Sequence, residues 1–266
     1  MKLELDTDRM IAEVKDGIGW VIYNNPKRLN AVSLEMTEAL PVIFDTYEER
    51  DDVRVVVLRG AGERAFVSGA DISEFEKNRS SEENRRIFDE KGKIAAARIE
   101  AFTKPIIAMV RGYCIGGGLM AALKADIRIA SEDAQFGIPA ARLGLGYGYA
   151  GVTTLVALVG PAAANEILFS ARRFSADEAL RMGLVNRVVA GSALESAVIE
   201  LARTIADNAP LTVRAAKFAI RQCVRDPNAR DLDESARLVE ACFRSEDYVE
   251  GRRAFMEKRR PAFQGR

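Results

Sequence analysis

The chain has 266 residues, 48% of them hydrophobic, which is enough for one large core with or without a smaller accessory region. Lys plus Arg and Asp plus Glu both total 39, so no net charge attracts the chain to nucleic acid or to an anionic membrane. Histidine is absent, which excludes a Ser-His-Asp triad, a Cys-His pair and a histidine-ligated zinc site.

The N-terminus and the cysteines indicate the cellular compartment. The first residues, "MKLELDTDRM", lack the apolar segment of a signal peptide. A membrane-spanning helix needs an apolar run of roughly 18 residues. We identify no run of this length in the sequence and therefore expect no such helix. The three cysteines are scattered without C-x-x-C spacing, which argues against a disulfide framework and a thiolate zinc site. These features predict a cytoplasmic protein without a membrane partner or a metal centre.

Strand-like and helix-like stretches alternate along the first 190 or so residues. The segment "MIAEVKDGIGWVIYN" predicts a hairpin turning at Asp16 and Gly17, and "SLEMTEALPVIFDTYEER" predicts a helix capped by Ser33. The apolar run "VRVVVLRG" is typical of a buried strand. The segment "AFVSGADI" and a charged helical stretch from about residue 80 to 102 follow it.

The second half of this region continues the alternation. We predict a strand at "PIIAMVRG", a helix opening at "GGGLMAAL" and a strand at "DIRIA", a pattern that favours an α/β fold with mostly parallel strands. Capping-box spacing at Ser175 with Glu178, and at Ser192 with Glu195, predicts two further helix starts. Beyond about Ala206 only amphipathic helices are predicted. We therefore divide the chain into a core, residues 1–205, and a helical oligomerisation region, residues 206–266.

The segment "GLGYGYAG" has the Gly-x-Gly-x-x-Gly spacing of a dinucleotide-binding turn, with glycines at 146, 148 and 151. Such a turn normally follows a strand directly, with an acidic residue about 20 positions later. Here Pro139 and Arg142 precede it, and no acidic residue stands at the expected place. The segment therefore predicts a glycine-rich active-site or packing loop. An NAD-dependent oxidoreductase is the alternative that this motif leaves open.

Two glycine patterns upstream indicate a site built from backbone groups. "SGAD", which begins at Ser68, follows a strand-like run, and "GYCIGGGLMAAL" places three glycines between a strand and a helix. Glycine allows backbone N–H groups to approach a ligand closely, and a helix that begins at Gly117 or Gly118 directs its positive end toward negative charge. Two such N–H groups from separate loops form an oxyanion hole. Each pattern taken alone also fits a tight strand-to-helix turn.

Several segments, in order, resemble the crotonase superfamily, also called the enoyl-CoA hydratase/isomerase family. The resemblance covers nearly the whole chain and rests on these segments: "NNPKRLNAVS", "AFVSGADI", "VRGYCIGGGLMAALKADIRIAS", "AQFGIPAARLGLGYGYAG", "ALRMGLVNRVV" and "AFMEKRRPAF". It implies a crotonase-type α/β spiral of repeated ββα units with a C-terminal helical region. It also implies a homotrimer or a dimer of trimers.

The same resemblance implies an acyl-CoA thioester as the partner, with coenzyme A entering as part of the substrate and no separate cofactor. The backbone N–H groups of Ala70 and Gly117 would hold the thioester oxygen and so stabilise an enolate. The residues implied to contact the CoA moiety are Lys27, Arg28 and Leu29, then Ser68, Asp71 and Ile72 around the adenine, and Phe255 and Lys258 from a neighbouring subunit. Lys27 and Lys258 also fit solvated surface lysines.

The chain departs from the family's hydratases at two positions. Those hydratases use two glutamates, and the matching positions here hold Met120 and Ala140. Without these carboxylates, water has no evident base. The reaction therefore stays open among isomerisation, hydration and decarboxylation, with a catalytically impaired acyl-CoA-binding homologue as a further alternative.

Tyr147 is the polar residue that remains in the catalytic loop. The spacing "LGLGYGYAG" is similar to the loop of methylmalonyl-CoA decarboxylases, in which a tyrosine stands at the position of Tyr147. Those decarboxylases carry histidine where this chain has Ala70, so the similarity is partial. Decarboxylation needs no base to begin, because loss of carbon dioxide produces the enolate directly. A wall of the acyl pocket is the alternative role for the Tyr147 ring.

Overall fold

The structure is a computed structural model that describes residues 1–71 and 82–266. Among these residues, the strands form a six-stranded sheet, in the order β1-β2-β3-β5-β7-β10, and a four-stranded sheet, in the order β4-β6-β8-β9. Neighbouring strands are parallel except in the antiparallel pairs β1–β2 and β8–β9. The strands are β1 (Met10–Lys15), β2 (Ile18–Tyr23), β3 (Val55–Gly60), β4 (Ala65–Val67), β5 (Ile106–Val110), β6 (Tyr113–Ile115), β7 (Ile127–Ser131), β8 (Gln135–Gly137), β9 (Phe174–Ser175) and β10 (Arg187–Val189).

Helices separate and follow these strands. The α-helices described are α1 (Leu34–Glu49), α2 (Glu82–Ala101), α3 (Gly117–Leu123), α4 (Tyr149–Ser170), α5 (Ala176–Arg181), α6 (Leu194–Ala206), α7 (Pro210–Cys223), α8 (Leu232–Arg244) and α9 (Glu246–Met256). Short 3₁₀ helices occur at Pro26–Arg28, Pro139–Leu143, Gly191–Ala193 and Pro227–Ala229. The last three α-helices account for the helical C-terminal region that the sequence predicts.

A strand–strand–helix unit repeats along the core. The pairs β3 with β4, β5 with β6, and β7 with β8 each place their first strand in the large sheet and their second in the small sheet. The next α-helices along the described chain are α2, α3 and α4, respectively. The chain therefore winds as a spiral of ββα units, and the predicted α/β crotonase-type fold is confirmed.

The large sheet is buried on both faces. Alternate residues of β3 point to opposite sides, so that Val57 packs with Val198 of α6, whereas Val56 belongs to the cluster that contains Phe44 of α1. A strand covered on both faces requires apolar residues at successive positions. This packing explains the unbroken apolar run in "VRVVVLRG".

The predicted hairpin and helix caps can be checked individually. Asp16 and Gly17 join β1 to β2 with positive φ angles of 53° and 76°, as a two-residue hairpin turn requires. Ser33 accepts a hydrogen bond from the Met36 amide, which confirms the cap of α1. Ser175 and Glu178 form the predicted capping box of α5.

The second predicted capping box is wrong. Helix α6 begins at Leu194, with Ala193 at its N-cap and no side-chain cap. Ser192 lies within the preceding 3₁₀ helix, Gly191–Ala193. The 3₁₀ turn displaces the start of the α-helix along the chain, so Ser192 does not occupy the capping position.

The C-terminal region is attached to the core through a buried cation. Lys217 of α7 is 8% exposed, and its Nζ lies 2.8 Å from Asp126 Oδ2 and 2.6 Å from the Lys104 carbonyl oxygen. Burial lowers the pKa of Lys217 to about 8, although Asp126 opposes this shift.

Helix α8 has no buried residue and exposes Leu232, Val239 and Phe243. The division at residue 206 into a core and an oligomerisation region stays a prediction.

One described helix, α4, is long and apolar enough to cross a membrane when judged by length and composition alone. The expectation that no apolar run reaches this length is therefore wrong. The helix is interrupted at Gly160, where φ is 75° and ψ is 165°, and Pro161 follows. Such a break leaves backbone groups that lipid cannot hydrogen-bond. The absence of a membrane partner stays a prediction.

The close approach of α3 to β4 predicts the effect of Gly118→Ala. A Cβ atom at this position would lie 2.0 Å from the Val67 carbonyl oxygen. Because the neighbour is backbone, we expect the free energy of unfolding to fall by at least about 2 kcal/mol. The matched control is Gly92→Ala in α2, where an added Cβ meets no described atom within 4 Å beyond its own helix. This control should raise stability by about 0.5–1 kcal/mol in urea denaturation, and equal stabilities for the two variants would contradict the contact.

Candidate active site

The backbone amides of Ala70 and Gly117 lie side by side at the surface. Both residues are exposed, and a Cβ atom placed on Gly117 would lie 3.9 Å from the Ala70 nitrogen. Val32 is hydrogen-bonded to the two neighbours of Ala70: the Val32 amide donates to the Gly69 carbonyl, and the Val32 carbonyl accepts from the Asp71 amide. Because strand groups alternate in direction, the Ala70 N–H points away from Val32. No backbone acceptor among the described residues takes a hydrogen bond from the N–H of Ala70 or of Gly117.

The turn before α3 presents the Gly117 amide. Gly116 adopts a positive φ of 55°, which glycine tolerates and which turns the chain from β6 into the helix. Gly117 is the first residue of α3, where backbone N–H groups lack helical acceptors. The Gly116 amide donates to the Gly137 carbonyl at 2.8 Å, which ties this turn to the end of β8. The resulting geometry allows both amides to bind one oxygen atom.

The residues predicted to flank the CoA come together from two segments. Arg28 Nη1 lies 2.8 Å from Asp71 Oδ1, and the Asp71 side chain is only 4% exposed. The Ser68 amide donates to the Leu29 carbonyl at 3.1 Å, and Ser68 Oγ donates to the Arg28 carbonyl at 3.3 Å. Lys27 is exposed beside them. The structure therefore groups five of the eight predicted CoA contacts.

Of the other three predicted contacts, Phe255 and Lys258 have no recorded contact with this group. Ile72 lies outside the described residues. Phe255 is 83% exposed near the end of α9, and Lys258 follows the helix with a positive φ of 53°. Helix α9 packs on α8, and Phe263 of the C-terminal tail approaches Gly251 of α9. A site on a neighbouring subunit for Phe255 and Lys258 stays a prediction.

Asn30 holds in place the segment that contains Lys27, Arg28 and Leu29, a role that was not predicted from the sequence. Its side chain donates to the carbonyl oxygens of Ala61 at 3.0 Å and Ala65 at 2.8 Å and accepts from the Asn25 amide at 3.0 Å. The residue is 1% exposed and has a φ of 57°. Asparagine tolerates this conformation better than most residues do, and this preference is the only sequence signal for the role.

Met120, Ala140 and Tyr147 lie on elements that approach the start of α3: a Cβ atom placed on Gly116 would lie 3.9 Å from Cδ of Pro139, the residue before Ala140. Met120 lies one helical turn after Gly117, on the same side of α3. A Cβ atom on Gly151 would lie 2.9 Å from Met120 Cε and 3.8 Å from Tyr147 Cδ1, so both side chains converge on that glycine. Ala140 is 6% exposed within the 3₁₀ helix Pro139–Leu143. Of these three side chains, only Tyr147 carries a polar group.

Burial raises the pKa of the Tyr147 hydroxyl, so the phenol stays protonated at neutral pH. It can donate a hydrogen bond or a proton, but it is a poor base. Tyr149, by contrast, is 87% exposed. Glu74 and Glu76, two further carboxylates of the chain, lie outside the described residues.

The glycine-rich segment does not have the surroundings of a dinucleotide-binding turn. A 3₁₀ helix, Pro139–Leu143, precedes it, and Gly144 ends that helix with a φ of 62°. The α4 helix begins at Tyr149, within the segment. A dinucleotide fingerprint instead requires a strand that runs directly into the glycine turn. The observed arrangement fits a loop that shapes a pocket.

A spiral of ββα units whose strands alternate between two sheets is typical of the crotonase class of α/β enzymes. A model of the family "Enoyl-CoA hydratase/isomerase" matches residues 13–266. The chain belongs to this family of acyl-CoA enzymes, which are lyases and isomerases.

Similar proteins cover almost the full chain. The short-chain-enoyl-CoA hydratase of Clostridium acetobutylicum is 38% identical over 256 residues, which span 96% of this chain and 97% of that protein. The carnitinyl-CoA dehydratase of Proteus mirabilis is 34% identical and spans 92% and 94%, respectively. The crystal structure of an enoyl-CoA hydratase/carnithine racemase from Magnetospirillum magneticum has a TM-score of 0.91 and 36% identity, and the match spans 98% of this chain and 97% of that chain.

Proposed function

We propose that this enzyme binds an acyl-CoA thioester and stabilises its enolate with the backbone N–H groups of Ala70 and Gly117. The observation that carries the proposal is the position of these two amides, which are exposed, adjacent and without a described backbone acceptor. Two donors aimed at one oxygen stabilise the negative charge that develops there. The group formed by Arg28, Leu29, Ser68 and Asp71 would hold the CoA portion.

The side chains near these amides favour a reaction that starts without a base. Met120 and Ala140 cannot activate water, and the raised pKa of Tyr147 keeps its phenol protonated. The printed names of the relatives describe hydration and dehydration, which are reactions of those proteins. Isomerisation would require a proton acceptor, which none of these three side chains supplies. Decarboxylation of a malonyl-type thioester fits them best.

In the proposed reaction, the bond between the α-carbon and the carboxylate breaks and carbon dioxide leaves. Its electron pair forms the enolate, whose oxygen accepts hydrogen bonds from Ala70 and Gly117. The Tyr147 hydroxyl then donates a proton to the α-carbon and is reprotonated from water. The products are carbon dioxide and the shortened acyl-CoA.

Restoring the two carboxylates should change the preferred reaction. In Met120→Glu/Ala140→Glu, we expect hydration of crotonyl-CoA to rise by at least about 100-fold, the lower range for acid–base catalysis. The control Met120→Gln/Ala140→Gln has side chains of similar volume without a carboxylate and should show no gain. Turnover of methylmalonyl-CoA and crotonyl-CoA is measured for all three proteins, with circular dichroism to verify folding.

Assays of the wild-type protein can refute the proposal in three ways. Wild-type hydration that is faster than decarboxylation would replace it with a hydratase function. Calorimetric binding of CoA without turnover of either thioester would indicate the acyl-CoA-binding homologue. Binding of NAD without binding of CoA would refute all CoA-based functions.

Tyr147→Phe separates proton donation from pocket packing. The substitution removes the hydroxyl and keeps the ring. We therefore expect the rate of decarboxylation to fall by at least about tenfold, which corresponds to about 1.4 kcal/mol of transition-state stabilisation. The affinity for CoA should not change. Tyr149→Phe is the control, because that side chain is 87% exposed. An unaltered rate in Tyr147→Phe, together with weaker acyl binding in Tyr147→Ala, would make Tyr147 only a wall of the pocket.

Assembly into a trimer or a dimer of trimers is also proposed. The support is the apolar surface left open on the C-terminal helices, where Phe255 and Met256 are 83% and 80% exposed and Phe243 is 57% exposed. Large apolar side chains exposed together on neighbouring helices fit an interface. Light scattering at micromolar concentration should report three or six chains. A stable monomer would contradict the assembly and remove Phe255 and Lys258 from the site.

A further inference from the structure

A buried arginine fastens the end of the helix that carries the Gly117 amide. Arg128 lies in β7 and is 4% exposed. Its Nη1 donates to the carbonyl oxygens of Ala125 at 2.6 Å and Ala122 at 3.4 Å, and its Nε donates to the Leu184 carbonyl at 2.8 Å. Ala122 belongs to the last turn of α3. The guanidinium therefore connects this turn to the segment that follows α5.

Arginine suits this position because of its shape and its charge. The planar guanidinium presents several donors in fixed directions, so one side chain can bind carbonyls from three places at once. Its positive charge also complements the negative C-terminal end of α3. The acceptors described for its guanidinium are all backbone carbonyls, while the nearby Asp126 carboxylate pairs with Lys217 and Arg221.

Because α3 is short, the position of its C-terminal end determines the orientation of its N-terminal end. Its seven residues span about 10 Å, so a tilt at the C-terminal end changes the direction of the first N–H group. At the N-terminal end, Gly118 packs tightly on the Val67 carbonyl. This contact and the hydrogen bond from the Gly116 amide to the Gly137 carbonyl both act at the N-terminal end of the helix. The hydrogen bonds of Arg128 hold the C-terminal end.

We propose that Arg128 is a positioning residue that orients α3 and thereby aims the Gly117 N–H at the thioester oxygen. This inference rests on the proposed oxyanion hole of Ala70 and Gly117. Arg128 itself does not touch the substrate. Its loss should therefore weaken polarisation of the bound carbonyl and slow turnover without changing the affinity for CoA.

Infrared difference spectroscopy of bound acetyl-CoA, labelled with ¹³C at the carbonyl, tests the proposal directly. Hydrogen bonds to the carbonyl oxygen lower its stretching frequency, and acetyl-CoA has no carboxylate to lose, so it stays intact. In the wild type we expect a shift to lower frequency on binding. In Arg128→Met most of this shift should be lost, and Arg128→Lys, which keeps a positive charge with fewer donors, should show an intermediate shift.

The matched control is Arg221→Met. Arg221 of α7 donates to the carbonyl oxygens of Glu100 and Phe102, at the C-terminal end of α2. Helix α2 does not carry the Gly117 amide. The control should lower thermal stability while leaving the carbonyl shift at its wild-type value. Arg128→Met should also reduce kcat for methylmalonyl-CoA by about tenfold with KM unchanged, less than the hundredfold typical when a donor is removed outright.

The outcomes distinguish this inference from the proposed function. A wild-type protein that binds acetyl-CoA without any carbonyl shift would refute the oxyanion hole, and the inference with it. A wild-type shift that persists in folded Arg128→Met would refute only the positioning role. If Arg128→Met does not fold, Arg128→Lys decides, and a wild-type shift in that variant would overturn the proposal.

Discussion

The site depends on how closely backbone segments approach one another where side chains are absent. Gly118 allows the start of α3 to lie against the Val67 carbonyl, which brings the amides of Gly117 and Ala70 together. At Gly60, an added Cβ atom would lie 2.2 Å from the Ala65 carbonyl oxygen and 2.5 Å from Asn30 Nδ2, so the segment that Asn30 holds depends on the same kind of contact. A larger residue at either glycine would separate the elements that form the site.

A site made of backbone groups limits the chemistry that its side chains must perform. Two N–H groups can stabilise an enolate whatever step forms it, so the flanking residues decide the reaction. Here those residues are Met120, Ala140 and Tyr147, and burial keeps the Tyr147 phenol protonated. A proton donor without the two hydratase glutamates suits the proposed reaction, in which the substrate generates its own carbanion.

Several residues that hold the site together could not be identified from the sequence. The sequence around Arg128 predicts only a strand, and the sequence around Lys217 predicts only an amphipathic helix. Their partners, Leu184 and Asp126, are remote from them in the chain, so no local spacing links them. Asn30 was likewise overlooked, because its three hydrogen bonds become visible only when the neighbouring segments are in place.

The sequence by itself determined the alternation of the main strands and helices, the hairpin and the Ser33 and Ser175 caps, because hydrophobic periodicity and capping act over a few residues. It did not identify α4 or the short strands β6, β8, β9 and β10. It failed at Ser192, where a 3₁₀ turn competed with the helix start. Only the tertiary structure decided that Met120 and Tyr147 meet at Gly151, and that a buried arginine closes the far end of α3. Met120 is remote in the chain from Gly151, and Arg128 is remote from Leu184, so these contacts form only when both sheets and their helices pack together.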